Sequence, residues 1–401
     1  MEQHNTSAHR VVVLGAGYAG ANAAGRLARR VRRDEVEITV VNADSEFVER
    51  VRMHQLATGQ QLKARPLTAA FAGTGVVLRA ARVTAVDVDR RTVAVTDDLG
   101  DHEIGYDTLI YALGSTVADH GVPGVREYAQ ELTGKASAQR LGERLRALPA
   151  GATVLVAGGG LTGIEAATEI AEARTDLVVA LAVRSELGDW LGEKARTHLR
   201  KTFTRLGITV HEHTDITRVE SDGVVTAAGA RIAADTTVWT AGFAVHPIAA
   251  ATTLAVAADG RIEVDGSMRS VSHPDVYAVG DAALAEGAGG RPLRMSCASG
   301  IPMAWAAADA VAARLTGREP EVKPIGYTVQ CVSLGRHDAI IQTVTPDDRA
   351  KPAALIGRSA ARVKEMICSG AAWSVSHPTV LMPTRRRRIV RADNMIDTAT
   401  V

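Results

Sequence analysis

A strand–glycine–helix pattern occurs twice in this 401-residue chain, and it sets what the chain can fold into. At the first occurrence the run Val11, Val12, Val13, Leu14 feeds into Gly15, Gly17 and Gly20. Ala-rich sequence follows and ends in Arg26, Arg29 and Arg30. An apolar, β-branched run reads as a buried parallel strand, the glycines as a tight turn, and the Ala-rich stretch as a helix. Gly15 permits the turn, with Ala16 inside it. Gly17 lets backbone approach a pyrophosphate, and Gly20 lets the helix pack close on the strand. Phosphates would meet free N–H groups at the positive end of the helix dipole. One such turn is also compatible with a glycine-rich connection that binds nothing. The second copy, strand 153–157 running into Gly158, Gly160 and Gly163, points to two dinucleotide folds in one chain.

Around the two turns the chain repeats a plan. A second parallel strand is expected over 36–41, ending at Asn42, where an acid would ordinarily hold the ribose hydroxyls. Asn42 can accept one such bond, and Asp44 stands near as a substitute. The charged stretch 46–59, with Arg50, Arg52 and His54, is too long for a simple connection and should cover something. A β-meander is expected over 76–95, and a buried strand over 106–111 runs into the small-residue turn Ala112, Leu113, Gly114. After a linker at 121–124 and a helix over 137–148, the second unit has strands near 177–183 and 208–211. A short meander over 219–232 and a strand ending at Thr240, Ala241, Gly242 close it. Then 276–281 is a strand presenting Gly280 and Asp281, followed by an Ala-rich helix over 301–315. Two strand-like runs lie in 327–344, a short helix is expected over 359–366 with Ser359 as N-cap, and Arg385 to Arg388 form a basic run before a loose end.

Composition excludes several alternatives. Formal net charge is +1 and aromatics are 3%, so neither an electrostatic footprint nor a stacking surface for nucleic acid is expected. Cys297, Cys331 and Cys368 are odd in number and far apart, with no disulfide framework and no metal-ligand spacing. A reducing cytoplasm fits that usage. The first ten residues are polar, and no stretch reaches the ~20 apolar residues of a membrane span.

The paired glycine turns, the Ala-Leu-Gly and Thr-Ala-Gly turns and Val279-Gly280-Asp281 before an Ala-rich helix resemble the two-dinucleotide-binding-domain FAD/NAD(P)-dependent oxidoreductases, the pyridine nucleotide-disulfide oxidoreductase superfamily. Within it, 47–59 and the run from Gly160 to Glu165 resemble the type II NADH dehydrogenase branch, with apoptosis-inducing-factor-like proteins as neighbours. The resemblance spans the chain to about Gly317, and more loosely 327 to the end. It implies an α/β chain with two Rossmann-like domains: an FAD domain over 1–118 and 246–320, interrupted by an NAD(P)H domain over 119–245. A small α+β region over 321–401 follows.

By position, Gly15, Gly17 and Gly20 would hold the FAD pyrophosphate, with Asn42 near the adenosine ribose. Asp281, after Gly280, would accept hydrogen bonds from the ribityl or phosphate end. Gly158, Gly160 and Gly163 would hold the nicotinamide cofactor. Ala112 and Gly114 would approach the flavin, and Ala241 and Gly242 the nicotinamide. Arg184 stands where the branch usually has an acid. Followed by Ser185, it suits a 2′-phosphate, which favours NADPH over NADH, although Glu186 could serve NADH.

The family's disulfide reductases need a Cys pair beside the flavin, and none is present, so thiol–disulfide turnover is not expected. Hydride transfer from NAD(P)H to FAD, then electron delivery to a quinone or similar small acceptor, is the expected activity, with no metal. Glu165, one turn into the second helix, would orient the nicotinamide or help deliver a proton. The segment 294–303 lies where the branch places its quinone side, but lacks the branch's Gln residues. Respiratory members attach to the membrane surface through their C-terminal part. Here Arg362, Lys364 and the later arginines give a peripheral contact at the inner face one candidate basis, and a solvated tail another. The competing reading is an NAD(P)H-responsive flavoprotein of the apoptosis-inducing-factor type that acts by binding. Oligomeric state is open.

Overall fold

The computed structural model describes residues 8–380 and 386–390. Two five-stranded parallel sheets carry the architecture, each built around one glycine turn. In the first, Thr108–Tyr111 and Val36–Asn42 flank the central strand His9–Leu14, with Val276–Ala278 and Val76–Ala80 outermost. Val11 to Leu14 are almost wholly buried, as a parallel strand covered on both faces requires. The helix Tyr18–Arg30 leaves the turn with Arg29 and Arg30 in its last turn, complementing the dipole. Its small residues (Ala21, Ala24, Ala28) let it lie close against the long Ala-rich helix Cys297–Leu315.

The second sheet orders Thr209–His211, Val178–Ala182, Thr153–Ala157, Thr236–Trp239 and Ala129–Gln130. Each sheet carries a three-stranded antiparallel meander, Arg82–Asp87 to Gly100–Gly105 and Ile216–Glu220 to Arg231–Ala233. The chain passes between the two units twice. The passages run side by side as an antiparallel ribbon, Ser115–Val117 against Phe243–Val245. Trp239 braces this crossing by donating its indole N–H to the Ala118 carbonyl at 2.8 Å.

The structure departs from the sequence expectations in four places. Val76–Ala80 does not belong to the meander; it is the edge strand of the first parallel sheet, paired to Val36–Asn42. The Ala-rich helix starts at Cys297, four residues before the expected 301, and Pro302 lies inside it as the sixth residue. The C-terminal sheet has a third strand, Ala350–Ile356, whose Pro352 is tolerated on an edge. The last helix runs over Arg358–Ser376 from an N-cap at Gly357, so Ser359 is inside it. Arg385 and the residues after 390 lie outside the described residues. Arg388 is paired to Glu35 at 2.9 Å and Arg387 bridges to Val31, so this part of the basic run is fastened to the first unit.

Candidate functional site

The two glycine turns are built alike. Gly15 (φ +93°) and Gly158 (φ +120°) have left-handed backbone, and a Cβ there would press on the carbonyl oxygens of Ala112 and Thr240. A Cβ on Gly20 or Gly163 would collide with the carbonyl of Gly15 or Gly158. Gly17 and Gly160 face the opposite way: a Cβ on either would meet nothing within 4 Å. Each turn therefore has a tight inner side that fixes helix to strand and an open outer side with free first-turn N–H groups. That is the shape a pyrophosphate needs.

Asn42 belongs to the inner side. Its Oδ1 accepts the Ala16 N–H at 2.8 Å, and its Nδ2 donates to the Asp44 carbonyl at 2.8 Å. The Ala16 N–H is thus spent on the turn itself.

Both open sides face one cavity of about 710 Å³. Asp281 reaches it from the turn Gly280–Ala282, where Gly280 has φ +70°. Ser115 Oγ donates to Asp281 Oδ2 at 2.6 Å, and Arg50 lies 3.6 Å from the same oxygen. Ala112, Gly114, Ala241 and Gly242 line the cavity at the ends of the two sheets. His120 Nε2 donates to the Ala241 carbonyl at 2.7 Å and holds that turn. Arg184 is exposed at the cavity edge, just beyond Val178–Ala182. Glu186, the alternative ribose acceptor, is drawn to Arg196 at 3.5 Å.

Glu165 is buried in the cavity wall and is not alone. Its Oε1 accepts the Ser333 backbone N–H at 3.1 Å and is paired to Lys364 Nζ, while Oε2 stands 3.7 Å from His54 Nδ1. Lys364 also donates to Ser333 Oγ at 3.1 Å. Burial draws the Lys364 ammonium down to about 8. Burial also draws His54 well below its usual range, and the neighbouring cations Lys364, Arg336 and Arg52 act in the same direction. Its ring is therefore neutral at pH 7.

The placement of Lys364 corrects its reading as a lipid-facing cation beside Arg362. The last helix is turned so that Ala360, Lys364 and Cys368, spaced by four, face inward. Met366 (67% exposed), Ile367 and Trp373 carry the apolar exposure of that helix. Among the described residues no helix is long and apolar enough to cross a membrane.

Sequence reasoning missed Lys364, Ser333, His54 and Arg50 as site residues. The stretch 46–59 does cover something: Val48, Arg50, Met53 and His54 line the cavity. Arg52 clamps that stretch to the last helix through Glu365 at 2.7 Å. The three cysteines, far apart in sequence, all reach the same cavity as free thiols. Burial pushes Cys297 up to about 11 and Cys331 up to about 12, and raises Cys368, so none is a ready nucleophile at neutral pH.

Comparison with known proteins agrees with this geometry. The pyridine nucleotide-disulphide oxidoreductase family matches residues 9–312. An NADH dehydrogenase-like protein of Mycobacterium tuberculosis is 31% identical over 315 residues, covering 73% of this chain and 78% of the relative. A type II NADH:quinone oxidoreductase of the same species is 30% identical over 370 residues, covering 80% and 76%. The sulfide:quinone oxidoreductase of Aquifex aeolicus shares the fold, with a TM-score of 0.78, 18% identity, and 94% and 93% of the two chains covered. The chain belongs to the pyridine nucleotide-disulphide oxidoreductase family, in its NADH dehydrogenase-like branch, and is a flavin-dependent oxidoreductase that uses FAD and NAD(P)H.

Proposed function

We propose that this protein is an NADPH-preferring dehydrogenase whose electrons pass through FAD to a quinone. The observation that carries the reading is the single cavity lined by both glycine turns and by a buried Glu–Lys pair. Gly15, Gly17 and Gly20 would seat the FAD pyrophosphate. Asp281 would use Oδ1 for a flavin hydroxyl, its Oδ2 being held by Ser115. Gly158, Gly160 and Gly163 would seat the pyrophosphate of NADPH. The bound flavin supplies the two-electron chemistry; the protein supplies placement and protons. Glu165, fixed by Ser333 and Lys364, would orient the nicotinamide or hold a proton for the reduced acceptor. The quinone assignment is supported by the type II NADH:quinone oxidoreductase among the relatives.

Anaerobic NADPH is expected to abolish the visible flavin absorbance, and a short-chain quinone to restore it within the turnover time. A reduced protein that ignores every quinone offered would favour the ligand-binding role of the apoptosis-inducing-factor type.

Arg184 sets the cofactor preference in this reading. Arg184→Ser should lower kcat/KM for NADPH by about 10- to 100-fold, the worth of a charge-assisted contact of about 1.5–3 kcal/mol, and leave NADH nearly unchanged. Parallel steady-state assays with both cofactors decide it, and a wild-type preference for NADH would remove the argument.

A further inference from the structure

Reduction of a quinone by NAD(P)H leaves a proton deficit. The hydride carries two electrons and one proton, whereas a quinol holds two of each: NAD(P)H + quinone + H⁺ gives NAD(P)⁺ + quinol. One proton per turnover must enter from solvent. We propose that it enters along one face of the helix Leu161–Ala173, over the carboxyl groups of Glu172, Glu169 and Glu165. The proposal rests on the quinone reading given above.

Spacings of four and three residues put these side chains on one face, each about one turn, or about 5–6 Å, from the next. Glu165 borders the cavity, Glu169 is 1% exposed, and Glu172 is half-buried at the outer end. Glu169 Oε1 is held by Gln60, whose own oxygen is held by Arg336, and Arg336 Nε lies 3.3 Å from Oε1. Arg336 also joins the next member, since its backbone N–H donates to Glu172 Oε2 at 2.5 Å.

An ion pair fastening the turn at 335–337 to the helix would account for Oε1. It leaves Glu169 Oε2 unexplained: that oxygen is buried and has no partner among the described residues. Such an atom is costly to bury unless it carries a proton or finds a transient partner. Polar or charged groups reach Glu169 from three segments of the chain. Gln60 comes from the stretch after the cavity wall, Arg336 from the C-terminal sheet, and Glu165 and Glu172 from its own helix. His54 and Lys364 lie one step further in, against Glu165. Burial, with Glu172 beside it, pushes the Glu169 carboxyl up against the pull of Arg336 and Gln60. At the inner end Glu165 passes the proton to the reduced acceptor, with Lys364 and Ser333 fixing its position.

The test compares two acceptors on the FAD-loaded enzyme. A quinone requires the proton; ferricyanide takes single electrons and none. Glu169→Gln should lower quinone turnover by about ten-fold or more and raise its solvent deuterium isotope effect, while ferricyanide turnover stays within about two-fold. Glu169→Asp, which keeps a carboxyl, should recover part of the quinone rate. Glu172→Gln, nearer the surface and safer for folding, should show the same split at about three-fold. Equal losses with both acceptors would make Glu169 a structural tie, and unchanged quinone turnover in both Gln variants would also overturn the relay. A wild-type enzyme that reduces ferricyanide but no quinone would instead refute the quinone reading, and the relay with it.

Discussion

Gly17→Ala is expected to give a folded chain that does not retain FAD, whereas Gly20→Ala gives little folded protein. The two glycines sit three residues apart in one turn, yet a methyl group meets opposite surroundings at each. Gly17 has an ordinary backbone, with φ −71° as the residue before the helix, and its added Cβ would touch no protein atom within 4 Å. The space it takes is the space a pyrophosphate needs. Overfilling a close contact costs about 1–3 kcal/mol, or roughly 10- to 100-fold in affinity.

A Cβ on Gly20 collides instead with the Gly15 carbonyl and stands 3.3 Å from Ala112 Cβ. Two backbones must part there, and the helix Tyr18–Arg30 would lose its seat on the central strand. The second turn repeats the contrast. Gly160→Ala should keep FAD and lose NAD(P)H affinity, while Gly163→Ala meets the Gly158 carbonyl and disrupts the second unit. The flavin-to-protein absorbance ratio of each purified variant, read beside its circular dichroism, checks all four. A Gly17→Ala protein carrying full FAD would remove this turn from the flavin site.

These turns were legible in the sequence because their chemistry is local. The strand, the glycines and the helix lie within about twenty residues, and each glycine answers a constraint set by its near neighbours. The parallel sheets follow from continuous apolar runs such as Val11 to Leu14 for the same reason.

The cluster around Glu165 was not legible, because its members meet only in the folded chain. Lys364 lies 199 residues from Glu165, and Arg336 lies 276 from Gln60. Nothing near Lys364 marks it as buried: Arg362 and Glu365 beside it look like an ordinary charged face. Only a longer helix would have shown it. Followed to Ser376, the inward positions 360, 364, 368 and 372 read Ala, Lys, Cys, Ala, a small-residue stripe interrupted by one cation. A helix that ends at 366 does not contain that stripe. The cysteines were missed for the same reason. Each is isolated in sequence, and the shared cavity is a product of three separate elements.

That one inward cation carries the second large effect. Lys364→Met should destabilise the protein and cut quinone turnover, by about 100-fold if Lys364 and Glu165 work as a unit. The ammonium is the sole cation paired with the buried Glu165 among the described residues, and His54, the other group near Glu165, is neutral. Removing one partner of a buried pair costs about 3–5 kcal/mol, because the remaining charge keeps its desolvation cost without compensation. The double change Lys364→Met with Glu165→Gln removes both charges, so it should regain most of the stability and none of the activity. Denaturant titration of the four proteins closes the cycle.

The pH profile separates chemistry from scaffolding. With its pKa drawn down to about 8, Lys364 is an ammonium below that pH and an amine above it. If the charged form is the working one, quinone turnover is full below about pH 8 and falls as the pH rises through it. Lys364→Arg, which stays charged throughout, should lose that falling limb while keeping part of the rate. A limb that persists in Lys364→Arg belongs to another group, and Lys364 would then be only the counter-charge that lets Glu165 stay buried.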